Sequence, residues 1–167
     1  MKKILTLCLL LFSSSLLFAE SDEFRKAKEQ GIVFSKDNRR LIKCNNKKLK
    51  SLKIPDGVMI ICKSAFEECR SLTSITIPNS VTEIGAGAFG ACTSLTSITI
   101  PNSVTAIGES AFRWCKSLRS ITIPNSVTKI GYYAFSGCAK LEIIIIPESL
   151  YEKYKDYLPH RCRVELI

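Results

Sequence analysis

Residues 71–85 have the sequence Ser71-Leu72-Thr73-Ser74-Ile75-Thr76-Ile77-Pro78-Asn79-Ser80-Val81-Thr82-Glu83-Ile84-Gly85. Close variants of this segment recur along the chain with a constant step of 23 residues. The Ile-Pro pair marks the step and occurs at Ile54-Pro55, Ile77-Pro78, Ile100-Pro101, Ile123-Pro124 and Ile146-Pro147. Self-similarity at a fixed period of this size is typical of proteins that are built from stacked structural repeats.

The first half of each unit has the pattern of a β-strand. Leu72, Ile75 and Ile77 follow the L-x-x-L-x-L spacing of a leucine-rich-repeat strand, which predicts that these three side chains face the interior of a coil. The residues between them are polar and are predicted to face outward. Pro78 ends the strand because it has no amide hydrogen to donate to a neighbouring strand.

The second half of the unit returns the chain to the start of the next copy. Val81-Thr82-Glu83-Ile84 alternates apolar and polar residues, which predicts a short return strand. Gly85 follows at a point where a side chain would obstruct the backbone. Ala88-Phe89 is then predicted to lie in a tight helical turn that places an aromatic ring in the core.

A single unit cannot bury its apolar residues alone, so the copies must stack and the two ends need caps. The apolar segments 31–34 and 40–42 flank a turn-rich link and predict a β-hairpin at about residues 31–43. Residues 148–157 have an amphipathic helical pattern, and residues 164–167 could add a last strand. The predicted organisation is a signal peptide (1–19), an N-terminal cap (20–45), leucine-rich repeats (46–147) and a C-terminal cap (148–167).

The pattern Ser-Leu-x-Ser-Ile-Thr-Ile-Pro-Asn-Ser-Val-Thr-x-Ile-Gly-x-x-Ala-Phe at residues 71–89 resembles the 23-residue BspA-type (treponemal) leucine-rich repeat. The resemblance covers roughly residues 31–167. It implies a β-rich solenoid: a right-handed leucine-rich-repeat coil with a parallel concave sheet, short return strands, helical turns, an N-terminal β-hairpin cap and a C-terminal helical cap. It also implies exported or surface proteins of bacteria that bind other proteins. The family brings no catalytic residues, so none is assigned here.

Composition and charge narrow the possible functions. Of the 167 residues, 46% are hydrophobic and 23% are charged, which is enough apolar material for a packed core. The 24 Lys and Arg residues against 15 Asp and Glu residues give a formal net charge of +9. A single histidine, His160, disfavours a histidine-based metal site or a catalytic triad. We therefore expect no enzyme activity, no metal ion and no cofactor.

Residues 1–19 have the features of a secretory signal. Lys2 and Lys3 precede an apolar run over residues 4–12, and Ala19 precedes a plausible cleavage point. The alternative is a transmembrane anchor, but serines at 13–15 interrupt the apolar run, which is short for a spanning helix. The mature chain is predicted to contain no membrane span and to be secreted or held at the cell surface, with the periplasm as the alternative location.

Seven cysteines follow the predicted signal peptide. Four of them keep the step of the repeat: Cys69, Cys92, Cys115 and Cys138. Equivalent residues on stacked strands point in parallel about 4.8 Å apart, which is beyond the ~3.5–4.5 Å that Cβ atoms prefer in a disulfide. A column of buried thiols is therefore expected, and a zinc site is disfavoured because no C-x-x-C pair is present. Cys44 and Cys162 lie near opposite ends and should not meet within one monomer.

The outward positions of the predicted concave sheet form columns, and solenoids commonly bind ligands on such a surface. The centre of this surface is rich in hydroxyl groups, its start is basic and its end is apolar; good β-propensity and solubility explain the hydroxyl groups equally well. Trp114 replaces Glu68 or Ala91 of neighbouring units on the turn side and is predicted to lie near the surface. The candidate contact residues are Lys50, Lys53, Thr73, Thr76, Thr96, Thr99, Trp114, Arg119, Thr122, Glu142, Ile143 and Ile145.

Basic residues gather between Lys36 and Lys53, where they form either a solvated cap or a docking patch for an anionic glycan or an acidic protein. Nucleic acid is not expected as a partner because aromatic residues are not interleaved with these charges. The sequence favours an interaction module for a protein ligand, such as an extracellular matrix or other cell-surface protein, with a role in adhesion. A structural component of the periplasmic envelope is the alternative.

Overall fold

A computed structural model of the chain describes residues 20–167. The predicted signal peptide lies outside the described residues. Short strands dominate the molecule, as a solenoid requires. In chain order the elements are α1 (Asp22–Glu29), β1 (Ile32–Phe34), β2 (Arg40–Cys44), β3 (Ser51–Lys53), β4 (Ile60–Ile61), β5 (Ser74–Thr76), β6 (Glu83–Ile84), β7 (Ala106–Ile107), β8 (Ser120–Thr122), β9 (Lys129–Ile130), β10 (Ile143–Ile146), α2 (Glu148–Tyr154), a 3-10 helix (Lys155–Tyr157) and β11 (Arg163–Leu166).

One side of the coil is a six-stranded sheet with the order β1-β2-β4-β6-β7-β9, which we call the return-side sheet. β1 and β2 pair in antiparallel fashion as the predicted hairpin, and the other pairs in this sheet are parallel. Ile61, Ile84, Ile107 and Ile130 are partners on successive strands, each 23 residues after the last. This register confirms the predicted solenoid of stacked 23-residue turns.

The opposite side, which we call the front face, carries the first strand of each unit and corresponds to the predicted concave sheet. It consists of two shorter parallel sheets, β3-β5 and β8-β10-β11. Between them, the segment 96–100 forms only an isolated bridge from Ser97 to Ser120. Ile77 makes no backbone hydrogen bond to Thr99, although the preceding unit makes the equivalent bond. The front sheet is therefore interrupted at its centre, whereas the return-side sheet is continuous.

The core is built from columns of equivalent apolar residues. Four phenylalanine rings stack face to face with centroids 5.2, 5.4 and 5.7 Å apart and planes within 4° of parallel. These rings, and the leucines two residues before the front-face segments 74–76, 97–99 and 120–122, are fully buried. They are Phe66, Phe89, Phe112 and Phe135, together with Leu72, Leu95 and Leu118. The inward positions predicted from the repeat are thus confirmed.

The connection that follows each return strand is a pair of consecutive turns and not the helical turn that the sequence predicted. After β6, the Ala88 amide donates to the Gly85 carbonyl, and the Cys92 amide then donates to the Phe89 carbonyl, both at 3.2 Å. The third residue of each turn has a left-handed φ, which redirects the backbone and prevents a helix from continuing. These residues are Ser64, Gly87, Ser110 and Tyr133 in the first turn and Glu68, Ala91, Trp114 and Gly137 in the second.

Side-chain hydroxyl and thiol groups tie each turn of the coil to the one before it. The Ser103 hydroxyl donates to the Val81 carbonyl at 2.7 Å, and the Cys115 thiol donates to the Phe89 carbonyl at 3.1 Å. Equivalent bonds are made by Ser80, Ser126, Thr82, Thr105, Thr128, Cys92 and Cys138. The expected column of buried thiols is confirmed, and its sulfur atoms form free thiols rather than disulfides. Sequence analysis did not identify the serine and threonine bonds.

The N-terminal end contains a helix that the sequence analysis did not predict. Only two residues of α1 are buried, Phe24 and Ala27, and so short an apolar stripe is a weak helical signal. Phe24 packs edge-to-face against Phe34 of the hairpin, with the ring centroids 5.0 Å apart. At the other end, α2 occupies the predicted helical segment, and β11 pairs in parallel with β10 as the expected last strand.

Candidate functional site

The first column of candidate residues runs unbroken along the front face. The Thr73 amide donates to the Lys50 carbonyl, and the same bond recurs from Thr96 to Thr73, from Arg119 to Thr96 and from Glu142 to Arg119. All five residues are exposed. The hydroxyls of Thr73 and Thr96 also donate to the backbone of the preceding unit, at 2.9 and 3.5 Å. These two hydroxyls hold neighbouring turns together.

Arg119 and Glu142 become a pair because the repeat places them in register. Arg119 Nη1 donates to Glu142 Oε1 at 3.3 Å, across a sequence separation of 23 residues. Both side chains are about two-thirds exposed, so water and salt weaken the attraction between them. The pair gives the front face a local charge pattern, with a positive and a negative group side by side in its C-terminal half.

Three other threonines of the front face have a different role. Thr76, Thr99 and Thr122 are exposed, and among the described residues their hydroxyls make no hydrogen bond to protein groups. Ile75, Ile98 and Ile121, one position earlier, are buried, so the alternation of the strand fixes the outward direction of each threonine. These hydroxyls can donate to and accept from a partner without breaking a bond within the chain.

Some of the basic side chains at the N-terminal end of the front face bond to other groups of the same chain. Lys53 Nζ lies 2.8 Å from Glu23 Oε1 of α1, and this hydrogen bond lowers the pKa of Glu23 and raises that of Lys53. Lys47 Nζ donates to the carbonyl of Glu67. Lys50 remains exposed beside them. Sequence analysis placed these lysines in one basic patch but could not predict the acidic partner from a helix that it did not identify.

α1 also shapes the front face. A groove of about 410 Å³ lies between this helix and strands β3 and β5. Its lining includes Glu23 and Gln30 from the helix and Lys53 and Thr76 from the strands. The helix therefore forms a wall at the N-terminal end of the candidate surface, and its polar side chains adjoin that surface.

The C-terminal end of the front face differs from the apolar end that the sequence predicted. Ile143 and Ile145 are only partly exposed. They are in register with Arg163 and Glu165 of β11, whose side chains pair at 2.6 Å. The expectation of an apolar end was wrong because the last strand places a charged pair at the edge.

Trp114 does not lie with the other candidates. Trp114 has a left-handed φ in its turn and is 49% exposed. It lies near the surface on the turn side, as its place in the repeat predicted. A Cβ atom at Gly137 would lie 2.0 Å from the indole, so glycine in the next unit makes room for this ring. The Arg113 guanidinium lies over the indole, 4.3 Å from its centroid. A groove of about 360 Å³ adjoins the ring and is separate from the front face.

Two features are absent among residues 20–167. Between residues 20 and 167, no three His, Cys, Asp or Glu side chains are grouped so as to hold a metal ion. Within the same range, no helix is long and apolar enough to cross a membrane.

Comparisons with known proteins agree with this architecture. The model of the BspA type leucine rich repeat region matches residues 43–162 in six copies. No curated protein matches the sequence. A crystal structure of a leucine-rich repeat protein from Bacteroides ovatus ATCC 8483 is 37% identical, with a TM-score of 0.68, over 76% of this chain and 32% of that one.

Two further crystal structures are similar. A leucine rich cell surface protein from Faecalibacterium prausnitzii A2-165 is 34% identical, with a TM-score of 0.66, over 81% of this chain and 37% of that one. The T. pallidum leucine rich repeat protein is 28% identical, with a TM-score of 0.57, over 71% of this chain and 69% of that one. The chain thus spans only 32% and 37% of the proteins from B. ovatus and F. prausnitzii. By its repeat and its fold, this chain belongs to the BspA-type leucine-rich-repeat family.

Proposed function

We propose that this chain is an exported interaction module that binds another protein at the bacterial cell surface through its front face. The observation that carries the proposal is that one column of front-face threonines differs from the other threonine columns, because its hydroxyl groups make no bond to the preceding unit among the described residues. On the return side, Thr82, Thr105 and Thr128 donate to the backbone of the preceding unit. On the front face, the hydroxyls of Thr76, Thr99 and Thr122 have no such role among the described residues. Their hydrogen-bonding capacity is available to a partner.

The size of the front face limits the strength of such binding. Six stacked units spaced at ~4.8 Å, each exposing a segment of about 17–20 Å, offer about 500–600 Å². A standard protein interface buries ~800 Å² on each partner. Binding to this face alone is therefore expected to be weak or moderate. The wall formed by α1, or simultaneous binding of several copies, would increase it.

Two observations support export and a surface location. The first 19 residues have the sequence features of a secretory signal. The similar protein from F. prausnitzii is described as a leucine rich cell surface protein, and a further relative, 27% identical, is the pneumococcal vaccine antigen PcpA. Adhesion is a function that suits an exported surface protein with a polar front face.

The location is tested first. Intact cells that express the protein are treated with an external protease, and lysed cells serve as the control for cleavage. We expect the protein to disappear from intact cells while a cytoplasmic marker survives. Full protection in intact cells, with release in the periplasmic fraction, would contradict the surface role and favour a periplasmic envelope component.

The binding face is tested with two matched variants of one repeat. Thr99→Arg places a bulky cation on the front face, whereas Thr105→Arg makes the same change on the return side. Binding of the purified proteins to intact host or neighbouring cells is measured, and both folds are checked by circular dichroism. We expect Thr99→Arg alone to lose binding by roughly tenfold or more, because a clash at the centre of an interface costs more than 1.4 kcal/mol. Equal loss of binding in both variants would reject the front face as the binding site. Loss of cell binding by the unmodified protein when an acidic polysaccharide is added as a competitor would identify a glycan partner instead.

A further inference from the structure

The outer face of the N-terminal hairpin exposes large apolar side chains. Val33 of β1 is 37% exposed and Ile42 of β2 is 44% exposed. Met59, the residue before β4, is 39% exposed. The later units carry a polar residue at the position of Met59, namely Thr82, Thr105 and Thr128. The hairpin and the strand beside it are therefore more apolar on the outside than the repeat requires.

Backbone pairing brings these three side chains onto adjoining strands. Val33 is the antiparallel partner of Lys43, and a register shift after Val33 leaves Ile42 as an extra residue in β2. Because of this bulge, Ile42 and Lys43 are both exposed although they are consecutive. The Met59 amide donates to the Arg39 carbonyl at 2.7 Å, which places Met59 beside the start of β2.

The same hairpin is strongly cationic. Its basic side chains are all exposed, and within residues 20–167 none of them is in an ion pair. They are Lys36, Arg39, Arg40 and Lys43. The one carboxylate of the hairpin, Asp37, accepts hydrogen bonds from the Ser35 hydroxyl and the Arg39 amide within the turn. Four cations and one carboxylate give the hairpin a net charge of +3.

We propose that this face binds an anionic phospholipid surface. We call it the hairpin patch, and it consists of Val33, Ile42 and Met59 with Lys36, Arg39, Arg40 and Lys43. Lipid phosphates complement the cations, and the layer below the headgroups accepts the apolar side chains. A soluble anionic polymer would complement the cations alone and would leave the apolar side chains in water. The combination of the two kinds of side chain therefore favours a lipid surface.

The place of the patch in the fold is compatible with the binding role of the front face. β1 and β2 belong to the return-side sheet, and the front face lies on the opposite side of the coil. A chain bound to lipid through the hairpin patch would therefore leave Thr76, Thr99 and Thr122 accessible to a partner. The lipid-binding inference does not depend on that partner, because it rests on the hairpin alone.

The expected binding is reversible and sensitive to salt. Each lysine or arginine close to an anionic lipid surface strengthens binding by about fivefold. This attraction acts over a Debye length of about 10 Å at moderate salt, so the cations must be held close to the headgroups. The apolar side chains hold them there, and the long stems of the arginines and lysines can lie along the apolar layer while their charged ends remain in water.

The experiment measures co-sedimentation of the purified mature protein with lipid vesicles. The mature protein lacks residues 1–19, so the apolar run of the predicted signal peptide cannot contribute. One preparation contains phosphatidylcholine alone, and the other contains equal parts of phosphatidylcholine and phosphatidylglycerol. We expect binding to the anionic vesicles to be at least about tenfold tighter than to the neutral ones, and to weaken as salt is added.

A charge-reversal variant tests the cations of the patch. Arg40→Glu/Lys43→Glu should weaken binding to the anionic vesicles by more than about tenfold. Lys116→Glu/Lys140→Glu is the matched control, because it makes the same change in net charge at exposed positions in later units. The control should retain most of the binding. Circular dichroism checks that each variant is folded.

A second variant tests the apolar side chains. Val33→Thr/Ile42→Thr keeps both side chains branched but removes apolar surface, and should weaken vesicle binding several-fold. Ile143→Thr/Ile145→Thr makes the same kind of change on the front face and should leave vesicle binding unchanged. Retention of the Val33→Thr/Ile42→Thr variant on an immobilised acidic polysaccharide should equal that of the unmodified protein, since its cations are intact.

The outcomes distinguish a lipid surface from other anionic partners. Equal binding to neutral and anionic vesicles, or unchanged binding by the charge-reversal variant, would overturn the proposal. If the threonine variant bound vesicles as well as the unmodified protein did, while charge reversal abolished binding to vesicles and polysaccharide alike, the patch would be a site for a soluble polyanion instead. Such a result would leave the proposed role of the front face untouched.

Discussion

The two sides of the coil are built from the same repeat but are organised differently. The return-side sheet is continuous over six strands, and serine and threonine hydroxyls reinforce it by bonding to the preceding unit. The front face is interrupted at residues 96–100, and its threonines at positions 76, 99 and 122 bond to no protein group within the described chain. The stack is therefore held by the core, by the return side and by the first column of the front face, where the Thr73 and Thr96 hydroxyls bond to the preceding unit. The positions of Thr76, Thr99 and Thr122 are those at which a residue can change or bind a partner at low cost in stability.

The largest loss of stability is expected in the core, against which both the return-side sheet and the front face pack. Phe112 lies in the middle of the aromatic stack and is fully buried, so Phe112→Ala should lower the free energy of unfolding by about 3–5 kcal/mol. Urea unfolding followed by circular dichroism measures the change. Trp114→Ala removes a larger ring from the surface and should cost less than about 1 kcal/mol. Similar losses for the two variants would mean that the stack does not support the fold.

The second prediction concerns the stability of the return side, at a glycine that lies very close to the backbone of the preceding unit. A Cβ atom at Gly131 would lie 2.2 Å from the backbone nitrogen of Glu109 in the preceding unit. Gly131→Ala should therefore force the two turns apart and cost about 1–3 kcal/mol, measured by urea unfolding. Gly90→Ala is the matched control, because the nearest atom to its new Cβ lies 3.3 Å away. A neutral Gly131→Ala would show that successive turns are not stacked as described.

The difference between the two sides can be measured with a pair of hydroxyl deletions in one repeat. Ser103→Ala removes a donor to the Val81 carbonyl and should cost about 0.5–1.5 kcal/mol. Thr99→Ala removes a front-face hydroxyl without a protein partner and should change stability by less than about 0.5 kcal/mol. Thermal and urea unfolding of both variants give the comparison. If Thr99→Ala were the more harmful change, the assignment of the scaffold to the return side would be wrong.

The smallest effect is expected for the ion pair on the front face. Removing the Arg119–Glu142 interaction in a double-mutant cycle with Arg119→Ala and Glu142→Ala should give a coupling energy of about 0.2–1 kcal/mol at low salt. The coupling should fall as salt is added, because both groups are exposed. A coupling that is large and insensitive to salt would indicate that the pair is part of the structural scaffold.

The repeat period and the burial pattern could be predicted from the sequence because both depend on residue spacing alone. The local pairing of strands could not be predicted from the sequence. Residues 71–82 and 94–105 have identical sequences, yet 74–76 form a strand and 97–99 do not. Position in the stack, and not local sequence, determines that difference. The stacked phenylalanines, by contrast, follow directly from the 23-residue step.

The candidate site was predictable to a similar extent. The exposure of the threonines follows from strand alternation, whereas the columns and the contact between Arg119 and Glu142 follow from the 23-residue step. The apolar end expected at Ile143 and Ile145 was wrong because β11, which has no repeat signature, places Arg163 and Glu165 beside it. The wall formed by α1 could not be predicted, because only two of its residues are buried and its pairing with the front face depends on tertiary contacts.

The most direct test compares the two sides of one repeat in living cells. A photo-crosslinking amino acid is placed at residue 99 of the front face in one strain and at residue 105 of the return side in another. After illumination, adducts are isolated through a tag on the protein and separated by mass. We predict discrete adducts with another protein from position 99 and none above background from position 105. Adducts of equal yield from both positions, or from position 105 alone, would contradict a front face that binds partners.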